Sequence, residues 1–125
     1  LAGVRQMLRA LRRGETVGLL PDQVPPEGMG AWVPFFGQPA YTMTLAARLV
    51  QQTGAAVGVL WTERLPRGAG YVVRALPLAE PLPEHGDEAS AAALNRAMEA
   101  VIRQCPAQYL WGYHRYKAPR RLDAS

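Results

Sequence analysis

The chain has 125 residues, 49% of them apolar, and a formal net charge of +4 from 14 Lys plus Arg against 10 Asp plus Glu. That length suits one domain, and the apolar share is enough for a buried core, which excludes an intrinsically disordered segment. The single cysteine, Cys105, excludes an internal disulfide framework and points to a reducing compartment, and no secretory signal is present.

Leu1 and Ala2 stand where an initiator Met would, and a helical pattern is already running at Val4, so the chain reads as a fragment. Val4, Met7, Leu8 and Leu11 fall at helical spacing, with Arg5, Arg9, Arg12 and Arg13 opposite them and Gly14 as a stop, which predicts a basic amphipathic helix. Residues 16–20 are a short apolar run between Gly14 and Pro21, the pattern of a buried strand, and Asp22 and Gln23 follow its C-terminal end. Pro25, Pro26, Gly28 and Gly30 predict a loop, and Pro34 biases Val33 away from helix, so residues 32–36 are expected to be extended loop. Residues 28–47 carry no formal charge, but Gly30, Pro34, Gly37 and Pro39 break any helix there, so this is no membrane span.

Thr42 or Thr44 can cap a helix with Leu45, Ala46, Leu49 and Val50 on its apolar side, ending at Gly54. A second buried strand is expected over residues 55–61. After a turn-rich stretch at 65–70, residues 71–76 return as its antiparallel partner. Residues 79–88 are rich in Pro and acid; the next helix places Leu94, Met98, Val101, Ile102 and Cys105 on one face before Pro106 ends it. Helices alternating with apolar strands predict an α/β fold, a mainly parallel sheet with flanking helices and a late hairpin. Ligands of such sheets bind beyond the C-terminal strand ends, which is where this pattern puts Asp22.

An Asp after a strand and a Pro reads as a turn residue, and equally as one that orients a catalytic His, contacts a hydroxyl or holds a metal. Beside it, Gln23 adds an amide that both donates and accepts, while Gly28 and Gly30 let backbone approach a ligand closely. Trp32, Phe35 and Phe36 offer either an apolar wall for a fatty chain or ordinary core packing. The tail sets Tyr109, Trp111, Tyr113, His114, Arg115, Tyr116 and Lys117 in one run. Rings mixed with cations suit phosphate groups, a membrane interface, single-stranded nucleic acid, or simply a solvated basic tail. Cys105, on an apolar helix face, reads as structural, His85 as solvated, and no paired-Cys or His-rich metal signature appears.

Three blocks, Leu-Pro-Asp-Gln at 20–23, Val-Pro-Phe-Phe-Gly at 33–37 and Pro-Ala-Gln-Tyr-Leu-Trp-Gly-Tyr-His-Arg-Tyr-Lys at 106–117, resemble the lipid A biosynthesis acyltransferase family in content, order and spacing. The resemblance implies that residues 1–125 are the C-terminal part of a single acyltransferase domain of the glycerolipid acyltransferase fold. It implies an enzyme on the cytoplasmic face of the inner membrane that takes a fatty acyl group from an acyl carrier protein thioester. The acceptor would be a hydroxyl of a Kdo-bearing lipid A precursor or related glycolipid. No metal, no organic cofactor and no nucleic acid is expected. On the same footing Asp22 would be catalytic, and Gln23, Gly28, Phe35, Phe36, Arg115 and Lys117 would bind substrate. The family's general base is a His followed after four residues by Asp or Glu. Here the fifth residue after His85 is Ser90 and the fifth after His114 is Pro119, so neither heads that motif, and the base is expected upstream of the first block. The alternative reading is a basic module that binds anionic lipid or nucleic acid, with Asp22 as a turn residue.

Overall fold

The structure is a computed structural model that describes residues 2–121; Leu1, on which the fragment reading leans, lies outside them. Helix α1 spans Ala2–Arg12, strands β1 and β2 span Gly30–Phe35 and Gln38–Met43, and helix α2 spans Leu45–Thr53. Strands β3 and β4 follow at Gly58–Arg64 and Tyr71–Pro77, and helix α3 at Asp87–Gln104.

The predicted parallel sheet is not there. The strands form two separate antiparallel hairpins, β1 with β2 and β3 with β4. Residues 16–20 run without regular secondary structure, and Leu20 is 64% exposed. An apolar run becomes a strand only where a ladder partner reaches it, and here each strand pairs with its sequence neighbour, which closes a short loop at less entropic cost than a parallel crossover. β3 also differs from expectation, because its residues alternate between exposed and half-buried and none is fully buried. The expected late hairpin does form, as β3 with β4 in register from Gly58↔Pro77 to Arg64↔Tyr71.

The β1–β2 hairpin replaces the loop predicted for residues 32–36. Phe35 faces Gln38 across a two-residue turn in which Phe36 and Gly37 both have positive φ, 48° and 77°, the turn whose twist matches paired strands. Next to the closing pair, Pro34 faces Pro39. In such a hairpin the closing pair exchanges hydrogen bonds and the next pair does not, so neither proline has to supply the N–H it lacks. Val33 and Phe35 from β1 and Ala40 and Thr42 from β2 share one buried face, and α3 packs across it. Phe35, 1% exposed, centres a core with Ala40 and Ile102, against which Phe36, Met98 and Tyr109 pack.

The helices follow their sequence signals. α2 begins after Thr44 and ends at Gly54 in the left-handed conformation (φ 67°), although Thr44 makes no side-chain cap bond. α3 starts with Asp87 and Glu88 in its first turn, where carboxylates offset the helix dipole, and buries Leu94, Val101 and Ile102 as expected. It also buries the small residues Ser90, Ala91 and Ala93 and the polar Asn95. α1 is amphipathic with no fully buried residue, its arginines exposed and its apolar side against α2. Among the described residues no helix is long and apolar enough to cross a membrane.

Gly37 has open space around the position of a Cβ, so its value lies in backbone freedom alone. Gly37→Ala is expected to lower stability by about 1 kcal/mol through left-handed strain, read as a shift of the urea midpoint at unchanged slope.

Candidate functional site

The hairpin, α3 and the tail meet at one buried cation. Arg115 is 3% exposed. Its Nη1 donates to the Tyr41 carbonyl at 2.9 Å, and its Nη2 to Thr42 Oγ1 at 2.8 Å and to Asn95 Oδ1 at 3.4 Å. Asn95 Nδ2 in turn donates to Thr42 Oγ1 at 2.9 Å and to the Pro34 carbonyl at 3.0 Å. The guanidinium also lies over the Phe35 ring, 5.1 Å from its centroid. Nε is buried without a partner among the described residues. Burial pulls the guanidinium below the ordinary arginine value, against the negative charge that Tyr109 and Asp22 can place nearby.

With Arg115 anchored, the tail's other rings are committed to the fold. The Tyr113 hydroxyl accepts from the Val24 N–H at 2.9 Å, the Tyr116 hydroxyl donates to the Phe35 carbonyl at 2.8 Å, and Trp111 Nε1 donates to the Pro106 carbonyl at 2.7 Å. The Tyr109 hydroxyl donates to Asp22 Oδ2 at 3.1 Å. Burial first, then the Asp22 charge, push the Tyr109 phenol far above its ordinary range. Tyr109 and Asp22 are both half-buried, and Gln23 beside them is exposed.

The structure thus brings Asp22 and the tail together and separates some of the other expected site residues from solvent. Phe35 lies wholly in the core and Arg115 has its Nη groups engaged by protein acceptors, so neither offers surface to a substrate among the described residues. Gly28, exposed, gives its N–H to the Tyr41 hydroxyl at 3.0 Å, and Gly30 donates to the same oxygen at 3.2 Å. A Cβ on Gly30 would sit 2.6 Å from the Thr42 carbonyl, so it is protein backbone, not a ligand, that this glycine lets approach. Phe36 is half-buried between Phe35 and Trp111, with the Arg103 guanidinium 4.9 Å from its centroid. Its N–H donates to Glu99 Oε1 at 2.7 Å. Lys117 is exposed, its ammonium 4.9 Å from the Tyr113 ring centroid. Trp32 is 51% exposed and tilted against Tyr41.

Sequence reasoning passed over Tyr41 and Asn95, and took Tyr109 and Gln108 only as members of the closing block without a role of their own. Gln108 bridges the tail to β3: its Oε1 accepts from the Arg64 N–H at 3.0 Å and its Nε2 donates to the Thr62 carbonyl at 3.3 Å. A cavity of about 550 Å³ opens there, lined by Arg64, Arg67, Tyr71 and Gln108 among others, and it contains none of the expected site residues. No cluster of three potential metal ligands forms among the described residues.

The sequence profile described as bacterial lipid A biosynthesis acyltransferase matches residues 2–118. The chain belongs to this family. It is 32% identical over 115 residues to the lipid A biosynthesis lauroyltransferase of Escherichia coli (strain K12), covering 91% of this chain and 38% of that protein. It is 30% identical over 115 residues to the lipid A biosynthesis palmitoleoyltransferase of the same organism and to the lipid A biosynthesis acyltransferase of Shigella flexneri, covering 37% of each. The chain therefore spans well under half the length of the curated relatives it matches. All three blocks that carry the family resemblance fall inside the matched span. Asp22, from the first block, meets Tyr109, from the third, while Phe35, from the second, lies under Arg115.

In this family member the tail is a structural clamp, and two measurements test that. Arg115→Ala removes three charge-assisted hydrogen bonds and takes the donor from the Tyr41 carbonyl and from Asn95 Oδ1, while Thr42 Oγ1 keeps the Asn95 amide, so urea unfolding is expected to show a loss of at least about 3 kcal/mol. The phenols of Tyr109 and Tyr116 are both raised, first by burial, so the folded state favours their neutral forms. Their contribution is complete below the unfolded tyrosine value near ~10 and is lost as pH rises through the higher folded values. The melting temperature is expected to fall with pH above about 10, and less steeply in Tyr109→Phe.

Proposed function

We propose that this chain forms one wall of the active site of an acyltransferase that moves a fatty acyl group from an acyl carrier protein thioester to a hydroxyl of a lipid A precursor or related glycolipid. Asp22 is the catalytic residue carried here. The observation behind this reading is the half-buried Asp22 carboxylate, bound through one oxygen to the family's tail block, beside an exposed amide at Gln23. A carboxylate so placed either orients the imidazole that deprotonates the acceptor or holds the acceptor hydroxyl itself. Since neither His85 nor His114 is followed by an acid at the required spacing, the general base comes from outside residues 1–125.

Substrate contacts fall to the residues left accessible. Gln23 and the loop through Gly28 border the acceptor, Lys117 meets a phosphate, and Phe36 with Trp111 borders the acyl chain. Phe35 and Arg115 serve the same site from beneath, by fixing the hairpin and the tail. The enzyme works at the cytoplasmic face of the inner membrane. Support for that comes from the exposed arginines of α1 and from the exposed apolar side chains of Leu20, Leu110 and Trp111, a pairing of cations with apolar surface suited to anionic headgroups.

In a full-length acyltransferase that carries this segment, Asp22→Asn is expected to lower kcat by roughly two to three decades while the melting temperature stays within a few degrees of wild type. Asparagine makes the same turn as aspartate, so wild-type turnover in the folded variant would return Asp22 to a turn role and remove it from the site.

A further inference from the structure

We infer that Tyr109 is a positioning residue for acyl transfer, its hydroxyl holding the Asp22 carboxylate in the orientation that the reaction uses. The inference rests on the placement of Asp22 in the active site proposed above.

Asp22 sits in a stretch, residues 16–29, that contains no helix or strand, so its own backbone does little to fix its side chain. The one hydrogen bond its side chain makes among the described residues comes from Tyr109, at 3.1 Å to Oδ2. Tyr109 is held from several sides. Its ring packs on the core of Phe35, Ala40 and Ile102, stands edge-on to Trp111 with centroids 4.8 Å apart, and its N–H closes a turn onto the Pro106 carbonyl at 3.3 Å. A tyrosine has two side-chain torsions, and with its ring so enclosed the hydroxyl has little freedom to leave the carboxylate.

The chemistry of the pair agrees with positioning and not with proton transfer by the phenol. An ionised carboxylate only accepts, and a phenol donates one hydrogen, so Oδ2 is tied to Tyr109 while Oδ1, which meets no donor among the described residues, is free to accept from an imidazole N–H or an acceptor hydroxyl. Burial and the neighbouring negative charge keep the phenol protonated well beyond neutral pH, so it donates throughout the working range. Tyr109 thereby selects which carboxylate oxygen faces the reaction.

The test is a double-mutant cycle of Tyr109→Phe and Asp22→Asn in a full-length acyltransferase carrying this segment, with kcat and KM for thioester donor and glycolipid acceptor, and a melting curve for each variant. Tyr109→Phe keeps the ring and loses only the hydroxyl; it is expected to lower kcat about tenfold with both KM values within about twofold, and to add less than about twofold on the Asp22→Asn background. Asp22→Glu, which keeps the charge but moves it off the phenol, is expected to lose kcat to a similar extent and reads the same geometry should Tyr109→Phe fold poorly. Wild-type kcat in Tyr109→Phe or in Asp22→Glu, or an equal fold-loss from Tyr109→Phe on both backgrounds, overturns the inference while leaving Asp22 in the site. Wild-type kcat in Asp22→Asn overturns the placement of Asp22 and this inference with it.

Discussion

The burial of one guanidinium organises the molecule. A cation taken out of water must find acceptors, and Arg115 finds three on two elements: the backbone carbonyl of Tyr41 and the side chain of Thr42 on β2, and the side chain of Asn95 on α3. Those acceptors are neutral, so the arrangement is a set of charge-assisted hydrogen bonds and not an ion pair, and its specificity comes from the fixed fork of the donor. Lysine, a point donor on a flexible stem, has no equivalent arrangement. Because Asn95 also bonds the Pro34 carbonyl, strand β1 joins the network, and both strands of the first hairpin are fastened to α3 by side chains.

The candidate site is downstream of that network. Once Arg115 is fixed, the residues just before and after it in the chain have little choice of position, and Tyr113 and Tyr116 reach Val24 and Phe35. The Tyr113 bond matters most for the loop, because Val24 is two residues from Asp22. A loop without regular structure is thus held at Val24 by one tyrosine and at Asp22 by another, both drawn from a tail that composition alone would leave in solvent.

Some of this was legible in the sequence and some was not. α1, α2 and α3 were readable because helical spacing, Gly54 and Pro106 signal locally. The β3–β4 hairpin was readable from its turn-rich link. The β1–β2 hairpin was not, because Trp32 and Pro34 on its outer face blur the alternation of Ala31, Val33 and Phe35, and because two prolines argue against strands until they are seen to face each other. Residues 16–20 misled in the other direction: an apolar run fixes what a strand would bury, not whether a partner strand lies within reach. Asp22 was picked from its place after that supposed strand, and the contact that actually organises it joins positions 87 residues apart, beyond the range of any local pattern. Arg115 read as a phosphate ligand because a basic aromatic tail looks the same whether it faces water or folds inward. Only the neutral acceptors on β2 and α3 decide which.

The paired prolines also bear on solubility. An antiparallel hairpin ordinarily presents an outer edge of free N–H and C=O groups on which a strand of another molecule can grow. Here Pro34 and Pro39 remove the outward donors nearest the turn from both edges, and the Pro34 and Tyr41 carbonyls are already occupied by Asn95 and Arg115. The edge of β3 is stopped differently, by the Gln108 amide, which imitates one step of a neighbouring strand at Thr62 and Arg64 and then goes no further. Two small sheets with apolar residues on open faces are in this way guarded against templated aggregation by side chains that terminate strand growth instead of extending it.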